Sequence, residues 1–393
     1  MYLFASFLQI GVVHAFVLPP RTPDERQQNV LAEAGSDTGR FSIPVKSLDG
    51  LFHTIDVAVG TPPQHFNVSL DLMNGGMLLP SINCDSSCTT KGTRRLYDRS
   101  ASSTSESKCT VTWQDFFGHN YFGDLVRDTV HFSGLKFPGV AFLEYDWRSD
   151  GSPFKFPDDG FDGMIGLAPP WDSLNSYRRT EYSSFLSKLY SEPLLDEMIF
   201  SLALPRGLED EGEIMFGGTN SGLYSGEFST VDVVELDSGL SSSNVPWVLP
   251  SSNITLHTPT PYPVPLPVDS VAVLTSNPFI VFPKSLQVED FYNVIGAEWI
   301  NELWASVPCD RRPHLPDLTF EIGGHELTIS GFDYTFEHRL DGPDKKPACL
   351  LWIMDHDDTG LPDNAIALGP HFLKRFYTVF DFGERRVRFA ERK

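Results

Sequence analysis

Phe161-Asp162-Gly163-Met164-Ile165-Gly166-Leu167 is an apolar run broken by two glycines, and 95 positions before Gly166 the apolar stretch 66–70 ends in Asp71. The same interval recurs later. The apolar stretch 271–273 ends in Leu274, and Gly369 of Ala367-Leu368-Gly369 follows at that same 95-residue distance. Apolar-apolar-Gly is a cheap pattern, but its repetition at a fixed distance from the end of an apolar strand points to two homologous halves. From Phe41 onward, short runs rich in Val, Ile, Phe and Thr alternate with Gly, Pro, Asn and Ser clusters, as in an all-β chain with many hairpins. Helical periodicity is scarce: 183–190, and 288–305 with apolar Phe291, Val294, Ile295 and Ile300. The Ser-rich stretch 100–107, the acidic stretch 144–160 and the Ser/Pro-rich stretch 238–267 read as surface loops.

The chain has 393 residues, enough for two lobes with buried cores. Lys and Arg number 30 against 52 Asp and Glu, and a net charge of −22 repels phosphate backbones and anionic lipid heads. Nucleic acid and membrane surfaces are thereby disfavoured as partners, and peptides, glycans or small apolar molecules are expected. Residues 1–15 are mostly apolar and close on Val13-His14-Ala15, the pattern of a signal peptide too short to span a membrane. Export through the secretory pathway follows, to the extracellular space or a vacuolar lumen. The five cysteines fit that compartment: Cys84 and Cys88 lie close together, Cys309 and Cys349 bracket a forty-residue stretch, and Cys109 is left over. No C-x-x-C or H-E-x-x-H occurs, so structural disulfides are expected and no metal or cofactor is. Asn67-Val68-Ser69 and Asn253-Ile254-Thr255 are N-glycosylation sequons.

Several stretches taken in order are similar to pepsin-type aspartic proteases along nearly the whole chain after the leader. They are Val59-Gly60-Thr61-Pro62-Pro63-Gln64, then Pro80-Ser81 with the Cys84/Cys88 loop, then Phe161 to Leu167. Later come Gly212-Glu213-Ile214-Met215-Phe216-Gly217-Gly218, Leu368-Gly369-Pro370-His371-Phe372-Leu373 and Tyr377-Thr378-Val379-Phe380-Asp381. The resemblance implies an all-β, two-lobed fold with a central cleft, an N-terminal lobe over 41–205 and a C-terminal lobe over 206–393. Each lobe of that family sends an Asp-Thr-Gly loop to the cleft floor. Two carboxyls that close together share one proton, so one activates water while the other protonates the carbonyl. Thr holds the pair symmetric by a hydroxyl bond across to the other loop, and Gly leaves room for the water.

Both loops depart from that triplet. The first reads Asp71-Leu72-Met73 followed by Asn74, and the second, counted back from Pro283, reads Leu274-Thr275-Ser276. One Asp is kept and the other position is a hydrocarbon. Leu72 has no hydroxyl to donate, and Met73 puts a long side chain where the family has none. The expected floor is therefore Asp71, Leu72, Met73, Asn74, Leu274, Thr275 and Ser276. The flap position that usually carries Tyr is Phe116, beside Phe117 and His119, and with Tyr121 and Phe122 these aromatics could line an apolar groove. Residues 16–40 form a short propeptide or linker, with three Arg against four acids and no basic character to mask a dyad.

Two other acids compete for the place of the missing partner. Asp358-Thr359-Gly360 sits among turn residues, and Asp269-Ser270 follows Pro263, Pro265 and Pro267, which a buried central strand does not tolerate. His119 and His371 read as surface or packed residues. The expectation is a monomeric pepsin-like homologue, inactive as a peptidase, that binds a ligand in its cleft. An enzyme of changed chemistry using Asp71 with Asn74 or His119 is the alternative, and residual acid endopeptidase activity the next.

Overall fold

The structure, a computed structural model, describes residues 39–48, 50–85, 87–88, 94–114, 120–149, 160–169, 185–192, 194–235, 246–258, 262–266, 269–300, 304–338, 348–355 and 361–393. Strands dominate these residues. They form sheets of thirteen, eight and four strands, and helices are confined to short segments such as Phe185–Ser191, Val288–Ile295 and Pro370–Leu373. The all-β expectation holds.

The frame repeats between halves, strand for strand. The strand Gln64–Asp71 runs parallel to Gly163–Gly166 with Asp71 opposite Gly166, and Met77–Pro80 returns antiparallel on the other side of that same strand. In the second half Val271–Leu274 runs parallel to Ala365–Leu368 with Leu274 opposite Leu368, and Ile280–Val281 returns antiparallel on its far side. The return begins at the same step beyond Asp71 as beyond Leu274. Two glycines make the tight wrap possible: a Cβ on Gly166 would stand 2.2 Å from the Asn74 carbonyl oxygen, and one on Gly369 would stand 1.7 Å from that of Asn277. The 95-residue echo is thus one supersecondary unit used twice.

The halves also share structure. Phe376–Asp381 pairs with Ile199–Ala203, which pairs with Gly212–Phe216 and through it with Phe41–Leu48. Strands on both sides of residue 205 therefore lie in one sheet. A polar link joins the two site strands: Leu274 N–H donates to the Trp247 carbonyl at 2.9 Å, and Trp247 Nε1 donates to the Leu167 carbonyl at 3.1 Å. Leu167 N–H in turn donates to the Asp71 carbonyl at 2.6 Å.

Two local expectations are corrected. The helix expected over 288–305 stops at Ile295, because Gly296 adopts the left-handed conformation (φ 65°) that closes a helix, and the chain continues as the short strands Glu298–Trp299 and Ala305–Pro308. The stretch 238–267 contains the strand Val248–Leu256, paired on both edges despite its Pro, Ser and Asn content. Its prolines 263 and 265 fall in Tyr262–Pro265, which pairs only with Val248–Leu256 at the margin of the sheet. Both expected disulfides are present, Cys84–Cys88 and Cys309–Cys349, and Cys109 is part of neither. Among the described residues no helix is long and apolar enough to cross a membrane. The proposed leader and most of 16–40 lie outside the described residues.

Candidate functional site

Asp71 is 5% exposed, and its carboxylate is an acceptor for both loops. Oδ1 accepts the Met73 N–H at 2.8 Å and Oδ2 accepts the Asn74 side-chain amide at 2.5 Å. Ser276 Oγ, from the opposite loop, lies 3.5 Å from Oδ1 and accepts the Leu72 N–H at 2.5 Å. Sequence reasoning placed Ser276 on the floor but gave it no role. Its hydroxyl is the bridge across the loops that Leu72, lacking an oxygen, cannot make. Thr275, by contrast, serves its own loop by accepting the Asn277 N–H at 2.9 Å, while Asn277 Oδ1 accepts the Phe279 N–H at 3.1 Å.

The apolar members of the expected floor are not lining groups. Leu274 is fully buried and joins Leu72 in the main core. Met73, 4% exposed, packs in a cluster with Val248, Val273, Phe279 and Trp352, all from the second half of the chain. Thr275 is buried too, and Asn74 and Ser276 are half-buried. The reason is hydrophobic: at the end of a core strand an alkyl side chain gains by turning inward, where a carboxylate would have to stay near water.

The flap reading is partly placed. Glu106–Gln114 and Asn120–Phe132 pair antiparallel, but Phe116, Phe117 and His119 lie outside the described residues. Tyr121 and Phe122 do not share a groove. As neighbours on a strand they point to opposite faces, Tyr121 buried against Trp113 and Tyr145, Phe122 exposed. Asp358-Thr359-Gly360 also falls outside the described residues. Asp269 is exposed, just ahead of the strand Val271–Leu274 and so at its opposite end from Leu274. Of the sequons, Asn253 lies in Val248–Leu256 with its amide donating to Glu321 at 2.7 Å, and Asn67 lies half-buried in Gln64–Asp71. Among the described residues no group of three or more His, Cys, Asp or Glu is arranged to hold a metal ion.

Sequence reasoning missed His53, one of two buried bases behind the loops. His53 sits on Phe52–Val59, the strand beside Gln64–Asp71, and His371 sits in Pro370–Leu373, just after Gly369. The His371 ring stacks on Trp352 with centroids 4.7 Å apart, and its Nδ1 lies 3.0 Å from the Asp333 carbonyl and 3.1 Å from Lys374 Nζ. Burial, reinforced by the Lys374 charge, pushes His53 down to about 3 and His371 well below the ordinary imidazole range. Burial also lowers Lys374 to about 8. The packed reading of His371 agrees with this position. His53 carries no sequence signal, since a single histidine in an apolar strand names no function.

Comparison with known proteins agrees with this geometry. The family model described as eukaryotic aspartyl protease matches residues 52–392. Vacuolar protease A of Aspergillus fumigatus is 28% identical over 381 residues, covering 94% of this chain and 86% of that protein. Cathepsin D of Chionodraco hamatus is 27% identical over 395 residues, covering 94% and 90%, and cathepsin D of Homo sapiens is 28% identical over 346 residues, covering 86% and 79%.

Proposed function

This chain belongs to the eukaryotic aspartyl protease family, and from that premise we propose that it is a member whose cleft binds a ligand without cutting it. The observation that carries this reading is the buried Leu274 at the place where the second lobe repeats the frame ending in Asp71. Hydrolysis by a carboxyl pair needs one group as base and the other as acid. Here one position is hydrocarbon, and both oxygens of Asp71 are engaged as acceptors by its own loop. Removing one member of a unit that acts together removes most of its acceleration. Asp71 then serves to hold its loop, and the groove takes up a peptide, a glycan or a small apolar molecule, with Asn74 and Ser276 as its polar contacts. The protein acts as a monomer, without cofactor, in an extracellular or vacuolar lumen reached through the secretory pathway; the vacuolar name of a relative supports that placement.

The Ser276 contact to Asp71 favours a second reading, an enzyme of changed chemistry in which the carboxylate and that hydroxyl act on a small substrate. One experiment separates the readings. Purified mature protein is incubated with denatured globin at acid pH, with and without a transition-state peptide inhibitor, and screened by thermal shift against peptide, glycan and apolar panels. No cleavage and at least one stabilising ligand are expected. Inhibitor-sensitive cleavage abolished by Asp71→Asn overturns the proposal, and turnover of a small substrate lost in both Asp71→Ala and Ser276→Ala replaces it with the second reading.

A further inference from the structure

Behind the two loops lies a cavity of about 20 Å³, walled by five leucines, Phe52 and Pro370 and reached by His53, Ser69, Thr275 and Ser276. His53 is 6% exposed, and its Nδ1 is buried with no partner. The Pro205 carbonyl, which can only accept, acts on this ring; with the proton on Nε2, Nδ1 presents a bare lone pair. A buried acceptor left unpaired is costly. The hydroxyls on the same cavity have complementary capacity to spare. Ser276 Oγ accepts from Leu72 N–H and donates towards Asp71, which leaves one lone pair, and Thr275 Oγ1 accepts from Asn277 N–H, which leaves its proton.

We propose that the cavity is a hydration site: one water donates to His53 Nδ1 and to the remaining lone pair of Ser276 and accepts from the Thr275 hydroxyl. Size and chemistry agree. A water needs roughly 10–15 Å³ of such space and about three polar partners, whereas a purely apolar hole of this size stays dry. The water has a consequence for the site. With both lone pairs of Ser276 occupied, its proton is left pointing at Asp71, so a histidine behind the first loop fixes the hydroxyl that bridges the two. This holds whether or not the cleft cuts peptides.

A high-resolution crystal structure of the mature protein tests it. An ordered water within about 3 Å of His53 Nδ1, Ser276 Oγ and Thr275 Oγ1 is expected, and loss of that peak in His53→Phe. An empty cavity, a cavity closed by a side chain, or a water that stays in place in His53→Phe overturns the proposal. In solution, melting temperatures of His53→Phe, Ser276→Ala and the double variant give an independent answer: if both residues hold the same water, the double loses less than the sum of the singles. Additive losses count against it. Should His53→Phe fail to fold, the wild-type density decides alone.

Discussion

The loop at Asp71 and the loop at Leu274 share a backbone and differ in what they ask of it. Both leave a parallel strand, wrap over a glycine and return antiparallel at the same step. The first still gathers hydrogen-bond donors around a carboxylate, while the second buries an alkyl group and sends Ser276 across. Scaffold and chemistry are therefore separable. The wrap is enforced by sterics and by a ladder of backbone bonds, so it is the same whether the strand ends in a carboxylate or in a leucine.

The sharpest test of the shared backbone is a pair of glycines. Gly166→Ala and Gly369→Ala each press a methyl into a carbonyl oxygen of the loop in the same lobe, so each is expected to cost more than about 4 kcal/mol or to prevent soluble expression. A large loss in one lobe and none in the other would break the equivalence. Next is Leu274→Asp, which places a carboxyl in the main core: a loss of about 3–5 kcal/mol by denaturant titration is expected, with no globin cleavage gained while Met73 and Ser276 remain. Met73→Ala should cost about 2–4 kcal/mol, since this side chain of the first loop is packed among residues of the second lobe. A Tm unchanged within error would show that Met73 is not holding the halves together.

The smallest effect is graded by pH. Behind each loop stands a buried histidine held below its ordinary pKa, so between pH 6.5 and about 3 the unfolded chain binds protons that the folded chain refuses. Stability is full above pH 6.5 and falls as the medium is acidified. At pH 5 the penalty from His53 is about 2 kcal/mol, and His371 acts in the same direction. The charges acting on the pair include Lys374, Arg392 and Arg312, all cationic, together with the Asp333 carbonyl at His371. Thermal melts at pH 7 and pH 5 read the effect directly, and His53→Phe should flatten the slope. A variant whose slope matches wild type would remove His53 from the account.

Much of this was legible in the sequence because it rests on local, repeated signals. The apolar strand ends at 71 and 274, the glycines at 166 and 369, and the cysteine pairs all appear where spacing puts them. The strand Val248–Leu256 was hidden because Pro250, Ser251, Ser252 and Asn253 carry loop chemistry. Their tolerance comes from an exposed Pro250 and a break in register between Ser251 and Asn253. The helix at 288 was overextended because hydrophobic periodicity continues past Gly296 into residues that face other partners. Ser276 could be named but not assigned and His53 gave no signal, since a hydroxyl and an imidazole acquire a role only from what lies opposite them. Their partners are about two hundred residues away in the chain for Ser276, which no local pattern encodes.

The sheet shared by both lobes has a further implication. Ile199–Ala203 pairs with Gly212–Phe216 on one edge, but its other edge finds its neighbour only when Phe376–Asp381 has been synthesised. Contacts of such long range make for slow assembly. A nascent chain must keep the edge of Ile199–Ala203 from pairing elsewhere until its partner arrives, so yield in a heterologous host should depend on chaperone supply more than on the final stability of the product.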